Sequence, residues 1–164
     1  MKHNILIAEN IPSMNKGEET IFEGILESLN FVEDLNVSMF SQYPEIDASR
    51  YADKAEIIDI RRILLGYKHT SYPNKCVQIL SSFIVLLEHG LFAVGYKILG
   101  TSVLKLTRHD IWKKYIEADA IIFGHNGTFC VGGGIGMPIV LHPIILPSLA
   151  KILGKPIILY GGKH

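Results

Sequence analysis

A short apolar run that leads into a glycine-rich loop does most to limit the folds open to this chain. Ala120 to Phe123 is entirely apolar, and the stretch from Asp119 to Gly136 that contains it holds six glycines. Four residues are too few for a helix, and an uninterrupted apolar run is typical of a central parallel strand covered on both faces. Because open α/β sheets bind ligands beyond the carboxyl ends of their strands, this loop is the first candidate site.

The rest of the chain alternates strand and helix signals. Further strands are predicted at Ile5–Ala8, Asn36–Ser41, Ile57–Ile60 and Ile157–Tyr160, the first and last of them buried. Helices are predicted from the Asn15 cap to about Asn30, over much of Cys76–Leu106, after a Thr107 cap, and over Pro143–Leu153 up to Gly154. The segment Pro44–Glu56 is predicted only as polar. This order predicts one doubly wound, mainly parallel, Rossmann-like α/β domain over residues 1–164.

Composition narrows the function classes. A hydrophobic content of 48% excludes a disordered chain, and 16 basic against 16 acidic residues create no field that would attract nucleic acid. The two cysteines, Cys76 and Cys130, form no metal or disulfide motif and fit a reduced compartment. Only four apolar or small residues separate Asn4 from Glu9, so we expect no signal peptide and a cytoplasmic location.

The most hydrophobic segment, Cys76 to Leu106, admits three interpretations: a helical region packed on the sheet, a surface that touches a membrane, or a true membrane span. Polar residues interrupt it at Gln78, at the Glu88–His89 pair and at Lys97. Because no window of about 20 residues is free of strongly polar side chains, packing on the sheet is favoured over a span. Peripheral membrane contact stays open.

The loop after the first predicted strand offers a second candidate site, formed by Asn15, Lys16, Gly17 and Glu18. Asn15 is a good helix N-cap, and Glu18 stands three residues later, at the capping-box spacing. Free N–H groups and the helix dipole favour anions at such a position, and Lys16 adds a positive charge. The alternative is that Asn15 is only a cap and Lys16 a solvated side chain.

In the glycine-rich loop, the candidate ligand-binding residues follow the strand directly: Gly124, His125, Asn126, Gly127 and Thr128. His125 and Asn126 can hydrogen-bond a ligand at the sheet edge, although Asn126 is equally suited to a tight turn. Neither the dinucleotide nor the P-loop glycine pattern is present. His125, Cys130 and His142 match no metal-ligand spacing, so we expect neither a metal nor another cofactor.

Together, these two loops resemble landmarks of the polysaccharide pyruvyl transferase family. The first is Asn15–Ile21, similar to N-x-G-D/E-x, and the second is Asp119–Phe129, similar to the family's D-x-hydrophobic-hydrophobic-x-G-G-G. A third, Gly154–Gly161, is similar to the family's G-K-P-hydrophobic strand. The landmarks occur in the family's order and span nearly the whole chain.

The resemblance implies transfer of the enolpyruvyl group of phosphoenolpyruvate to a pair of saccharide hydroxyls. It implies that Asn15, Lys16, Gly17, Glu18 and the residues Gly124 to Thr128 bind substrate, with His125 as the possible acid. Family members are about twice as long and resemble a two-domain glycosyltransferase-B arrangement, in which a second half completes the site. The resemblance implies that this chain corresponds to the N-terminal half and lacks the second, C-terminal domain. We therefore expect a second domain or a homo-oligomer as partner.

His125 and Asn126 replace the second and third glycines of the family's G-G-G run.

Two other functions stay open beside pyruvyl transfer. One is a non-catalytic ligand-binding or assembly module, and the other is a glycosyltransferase-B-like domain that uses a sugar nucleotide.

Overall fold

A five-stranded sheet, with all strands parallel, forms the centre of the domain. The computed structural model describes residues 2–8, 16–41, 43–60, 75–105, 110–123 and 147–160; for Glu18 and residues 75–82, 85 and 86 it describes the backbone alone. The strands are β1 (His3–Ile7), β2 (Leu35–Ser41), β3 (Glu56–Asp59), β4 (Ala120–Phe123) and β5 (Ile157–Leu159). Their order in the sheet is β3-β2-β1-β4-β5, which confirms the predicted Rossmann-like α/β fold.

Helices connect the parallel strands, as such connections require. They are α1 (Lys16–Leu29), α2 (Pro44–Tyr51), α3 (Lys75–Leu99) with a 3-10 helix at Gly100–Lys105, α4 (Asp110–Glu117) and α5 at residues 147–152. Gly154 follows α5 with a φ of 70°, a left-handed conformation that glycine adopts without strain and that ends the helix as predicted.

The two faces of the sheet carry separate cores because successive strand residues point to opposite sides. On one face Ile7, Met39 and Ile122 pack against Phe22 and Ile25 of α1 and Tyr51 of α2. On the other face the strands pack against α3, α4 and α5. That second core includes Leu6, Phe40, Ile121, Phe92, Trp112, Tyr115 and Leu149. Both faces of the central strands are therefore covered, which explains the unbroken apolar runs Ile5–Ile7 in β1 and Ala120–Phe123 in β4.

Two sequence predictions need correction. The segment Pro44–Glu56 contains a helix, α2. It was not predicted because its apolar pattern is weak: within α2 only Asp47 and Tyr51 are buried. β5 is not a buried strand, because it lies at the sheet edge with Ile158 and Leu159 exposed. An apolar run cannot distinguish a central strand from an edge strand whose outer side is uncovered. The predicted Thr107 cap and residues 143–146 of the last helix lie outside the described residues.

The hydrophobic segment after residue 75 forms α3, and the prediction of a helical region packed on the sheet is confirmed for its inner side. His89, Phe92 and Ala93 are buried, and Phe92 stacks on Trp112 with 4.1 Å between ring centroids. Its outer side carries exposed apolar side chains. Within the described part of the chain, no helix is both long enough and apolar enough to cross a membrane.

Candidate functional site

The candidate site lies where the strand order reverses, between β1 and β4. From β1 the chain moves outward to β2 and β3, and from β4 it moves the other way to β5. β1 and β4 are paired up to Ile7 and Ile122, and the Ala8 N–H donates to the Ile122 carbonyl at 3.0 Å. The loops that follow the two strands therefore leave the sheet side by side. This is the crevice in which open α/β sheets bind ligands.

The first candidate loop ends at the N-terminus of α1. Lys16 and Gly17 are the first two residues of that helix, both exposed, and Glu18 is the third. The helix begins directly after Asn15, the position at which an N-cap is predicted; Asn15 itself lies outside the described residues. The first turn of this helix therefore follows a strand that ends in the crevice, and a helix N-terminus in that position is the geometry expected of an anion site.

The second candidate loop begins directly after β4. Phe123, the last residue of that strand, is buried, and the carbonyl of Phe123 accepts a hydrogen bond from the Tyr160 N–H at 2.9 Å. The predicted ligand-binding residues that follow lie outside the described part of the chain: Gly124, His125, Asn126, Gly127 and Thr128. The structure thus fixes the point from which this loop departs.

Charge near the start of α1 is partly neutralised by α2. The Arg50 guanidinium donates to the Glu19 carboxylate across the two helices. This hydrogen bond, with the charge of Arg50 and a smaller contribution from Lys16, lowers the pKa of Glu19, and the same contact raises the pKa of Arg50. An acidic residue in the first turn would weaken an anion site, and its pairing with Arg50 reduces that effect.

A buried polar pair that the sequence interpretation missed closes the carboxyl end of β2. Ser41 and Asp47 are both fully buried; the Ser41 hydroxyl donates to one carboxylate oxygen of Asp47 and accepts from the Tyr43 N–H at 2.9 Å. The other carboxylate oxygen, Oδ1, has no hydrogen-bond partner among the described residues. A serine at a strand end, followed by an X-Pro helix start, is the signal that could have identified this turn.

Tyr51 and Tyr160 bring aromatic side chains to the same side of the sheet as α1. The Tyr51 ring contacts Phe22 edge-on at 4.8 Å, and burial raises the pKa of the Tyr51 hydroxyl. The Tyr160 hydroxyl lies 3.3 Å from the position that a Cβ on Gly24 would occupy. Gly24 therefore allows the residue after β5 to reach α1, and the two tyrosines help to fix that helix against the sheet.

The amino edge of the sheet is closed by side-chain hydrogen bonds. Asp119 accepts from the Asn4 N–H at 2.8 Å, and the Asn36 amide donates to the Asn4 side chain at 3.1 Å. Nearby, the Lys114 Nζ lies 2.5 Å from the Glu56 Oε2 and forms an ion pair with it. The cavity beside Asn4, Asn36 and Lys114 measures about 10 Å³, which is room for about one water molecule and not for a substrate.

Among the described residues, the carboxyl edge therefore offers helix N–H groups, one lysine and glycine backbone, a set suited to holding an anion. No group of three or more metal-capable side chains comes together in the same part of the chain. In comparisons with known proteins, no family model, curated sequence or solved structure matches the chain.

Proposed function

We propose that the crevice between β1 and β4 binds phosphoenolpyruvate and a saccharide, and that the chain is a polysaccharide pyruvyl transferase-like domain. The observation that carries the proposal is the adjacency of the ends of β1 and β4. The two segments in which the sequence resembles that family's substrate loops leave the sheet at this one place. Had the two strands been separated in the sheet, their loops could not share a ligand.

The chemistry of the reaction assigns a role to each residue type. The double bond of phosphoenolpyruvate takes a proton on its methylene carbon, two saccharide hydroxyls lose their protons and form bonds to the neighbouring carbon, and the bond from that carbon to the phosphate oxygen breaks. Of the two hydroxyl protons, one balances the proton taken by the methylene carbon and the other leaves with the phosphate. Phosphate leaves, and the pyruvate ketal stays on the sugar. The step needs an acid, cationic or N–H groups for phosphate and carboxylate, and groups that position the hydroxyls.

In this proposal the N-terminus of α1 and Lys16 hold the anionic groups of phosphoenolpyruvate. His125 supplies the proton, while Asn126 and Thr128 position the acceptor. Asn15 and Glu18 contribute hydrogen bonds to the hydroxyls, and Gly17, Gly124 and Gly127 let backbone N–H groups approach the ligand. By the resemblance, a second domain or a second copy of the chain supplies the remaining cationic groups.

Ligand binding is the direct test. Addition of phosphoenolpyruvate to the ¹⁵N-labelled chain should shift the amide resonances of Lys16 and Gly17 and of residues 124–128 saturably. Inorganic phosphate and pyruvate, each holding part of the ligand, should bind more weakly. Lys16→Met should weaken binding of phosphoenolpyruvate at least several-fold, and Lys151→Met, which removes an exposed lysine from α5, should leave it unchanged.

Two results would contradict the proposal. One is the absence of saturable shifts with phosphoenolpyruvate in a folded sample. The other is tighter binding of a uridine or guanosine diphosphate at the same amides, which would indicate a sugar-nucleotide enzyme. If binding is observed, phosphate release from phosphoenolpyruvate in the presence of a saccharide acceptor, abolished by His125→Gln, tests the transfer step itself.

A further inference from the structure

The outer side of α3 is an uninterrupted apolar surface. Seven large side chains there are between 49% and 75% exposed: Phe83, Ile84, Leu87, Leu91, Val94, Ile98 and Leu99. A surface helix normally carries polar residues on the side opposite its core contacts. Exposed apolar surface of this extent marks a site of association.

The spacing of these residues identifies the kind of partner. Ile84, Leu87, Leu91, Val94 and Ile98 follow one another at intervals of three, four, three and four. This is the heptad pattern, in which alternate positions a and d form a narrow seam that fits a second helix. In the sequence the same spacing continues backward to Leu80 and Val77.

The residue types at the two seam positions bear on the number of helices. Position a holds Ile84, Leu91 and Ile98, and position d holds Leu87 and Val94. In parallel coiled coils, β-branched residues at a with leucine at d favour two helices over three or four. Two of the three a positions are β-branched, and one of the two d positions is leucine.

The opposite side of α3 and its charges argue against a lipid surface as the partner. A membrane-surface helix turns a strongly basic side to water. Here that side is packed on the domain's own core through His89, Phe92 and Ala93. Glu88 and Lys97 leave the exposed helix with no basic excess between residues 83 and 99.

We infer that two copies of this chain associate through α3, as a parallel two-stranded coiled coil centred on Leu91. Burial of the five seam side chains in both copies would remove on the order of 1,000 Å² of surface from water, the lower end of the range for specific protein interfaces. The inference is independent of the proposed pyruvyl transfer, because α3 carries none of the residues assigned to the crevice.

The mass of the full chain in solution tests the inference. Sedimentation equilibrium over a wide range of concentrations should show a dimer. Leu91→Lys places a charge in the seam and should raise the dissociation constant at least tenfold. Leu91 is 64% exposed, so the variant should keep the wild-type circular dichroism spectrum. Phe31→Lys, at a site 89% exposed outside α3, is the matched control and should leave the dimer intact.

Cysteine cross-linking tests the orientation. In a background with Cys76→Ser and Cys130→Ser, Ile84→Cys and Ile98→Cys should each form a disulfide between copies. Parallel helices bring each cysteine next to the same cysteine of the other copy, whereas antiparallel helices keep the two identical cysteines apart.

Three results would overturn the inference. The first is a wild-type protein that is monomeric at every concentration. Protection of the thiol of a monomeric Leu91→Cys variant from a thiol reagent would then show that another segment of the chain covers the surface. The second is a Leu91→Lys protein that dimerises like the wild type. The third is cross-linking of neither cysteine within a dimer. Binding of the monomer to anionic lipid vesicles, lost in Leu91→Lys, would assign the surface to a membrane instead.

Discussion

The helices α1 and α3 lie on opposite faces of the same sheet and differ in what they present to water. On α1, Glu19 and Glu23 pair with Arg50 and Lys54 near α2, the second pair at 3.1 Å. On α3, the corresponding outer side is apolar over its length from Phe83 to Leu99. Both helices bury an inner stripe, Phe22, Ile25 and Leu26 on α1 and His89, Phe92 and Ala93 on α3, so the clearest difference lies in their outer sides.

In each helix the buried stripe packs on the sheet. The side chains on the outer side determine what else the helix can contact. The outer side of α1 is charged, held to α2 and compatible with a solvated surface beside the candidate crevice. The outer side of α3 is compatible with a second helix. In our proposals the carboxyl edge of the sheet, where α1 begins, binds the ligand, and the outer side of α3 serves association.

The largest effect on stability is expected from a substitution on the buried side of α3. It can be compared with a substitution of the adjacent residue, which lies on the exposed side. Phe92→Ala should lower the free energy of unfolding by about 3–5 kcal/mol, because it removes a buried ring and leaves a cavity. Phe92 stacks on Trp112, the single tryptophan of the chain, so urea denaturation can be followed by fluorescence and circular dichroism together.

Leu91→Ala is the matched control, measured at concentrations low enough to populate the monomer. It should cost far less there, since its side chain is largely exposed in one copy. Equal losses for Leu91→Ala and Phe92→Ala in the monomer would show that the outer side of α3 is packed within the chain.

A second test addresses the buried polar turn near α1. Ser41→Ala should lower the free energy of unfolding by about 1–3 kcal/mol, because it leaves the buried Asp47 carboxylate without its hydrogen-bond donor. Ser49→Ala removes an exposed hydroxyl from α2 that bonds the Ile46 carbonyl at 2.7 Å, and should change stability much less. Similar urea midpoints for both variants would contradict the importance of the buried pair.

Glycine substitution compares the two helices directly and should increase stability in one of them. Nothing lies within 4 Å of a Cβ added to Gly90 in α3, so Gly90→Ala should stabilise the monomer by about 0.5–1 kcal/mol. In α1, a Cβ on Gly24 would meet the Tyr160 hydroxyl at 3.3 Å, so Gly24→Ala should gain less or lose stability. Thermal melting of both variants decides; a larger gain at Gly24 would be inconsistent with the packing described.

The smallest effect is expected from the exposed pair that links α1 to α2. Arg50 lowers the pKa of Glu19, so the ionised carboxylate contributes stability above the unfolded-state pKa of about 4.5, and that contribution is lost as the pH falls through the lower folded-state pKa. Glu19→Gln should therefore be slightly less stable than wild type near neutral pH and equal to it in acid. Added salt should also reduce the difference.

Glu27→Gln, on the exposed side of the same helix, is the control. A difference between Glu19→Gln and wild type that grows on acidification would contradict the direction of the pKa shift.

The sequence predicted the sheet well because its strands carry strong local signals. Ala120–Phe123 coincides with β4, and the Asn15 cap with its apolar stripe predicted α1 within a residue at each end. α2 was missed because its stability depends on one buried tyrosine and a buried serine–aspartate pair, which no helical period reveals. The exposure of β5 depends on what lies beside it in the sheet, and that is a property of topology.

For the candidate site, the sequence identified both loops but not their adjacency. The pairing of Ile7 with Ile122 joins segments far apart along the chain, and no local pattern encodes it. Of the predicted residues, Lys16, Gly17 and the backbone of Glu18 are placed at the start of α1. The functional roles of these three residues stay predictions, as do those of Asn15, Gly124, His125, Asn126, Gly127 and Thr128.

The pairing of β1 with β4 also has a consequence for how the chain folds. Asn4 and Asp119, joined by a hydrogen bond at the edge of this pair, are 115 residues apart. During synthesis β1 can pair with β2 soon after both emerge, but its other side stays open until β4 has been made. Such long-range parallel pairing slows folding and leaves an unpaired strand edge available to other chains. The edge of β1 is therefore available to other chains until residues 120–123 have been synthesised and paired with it.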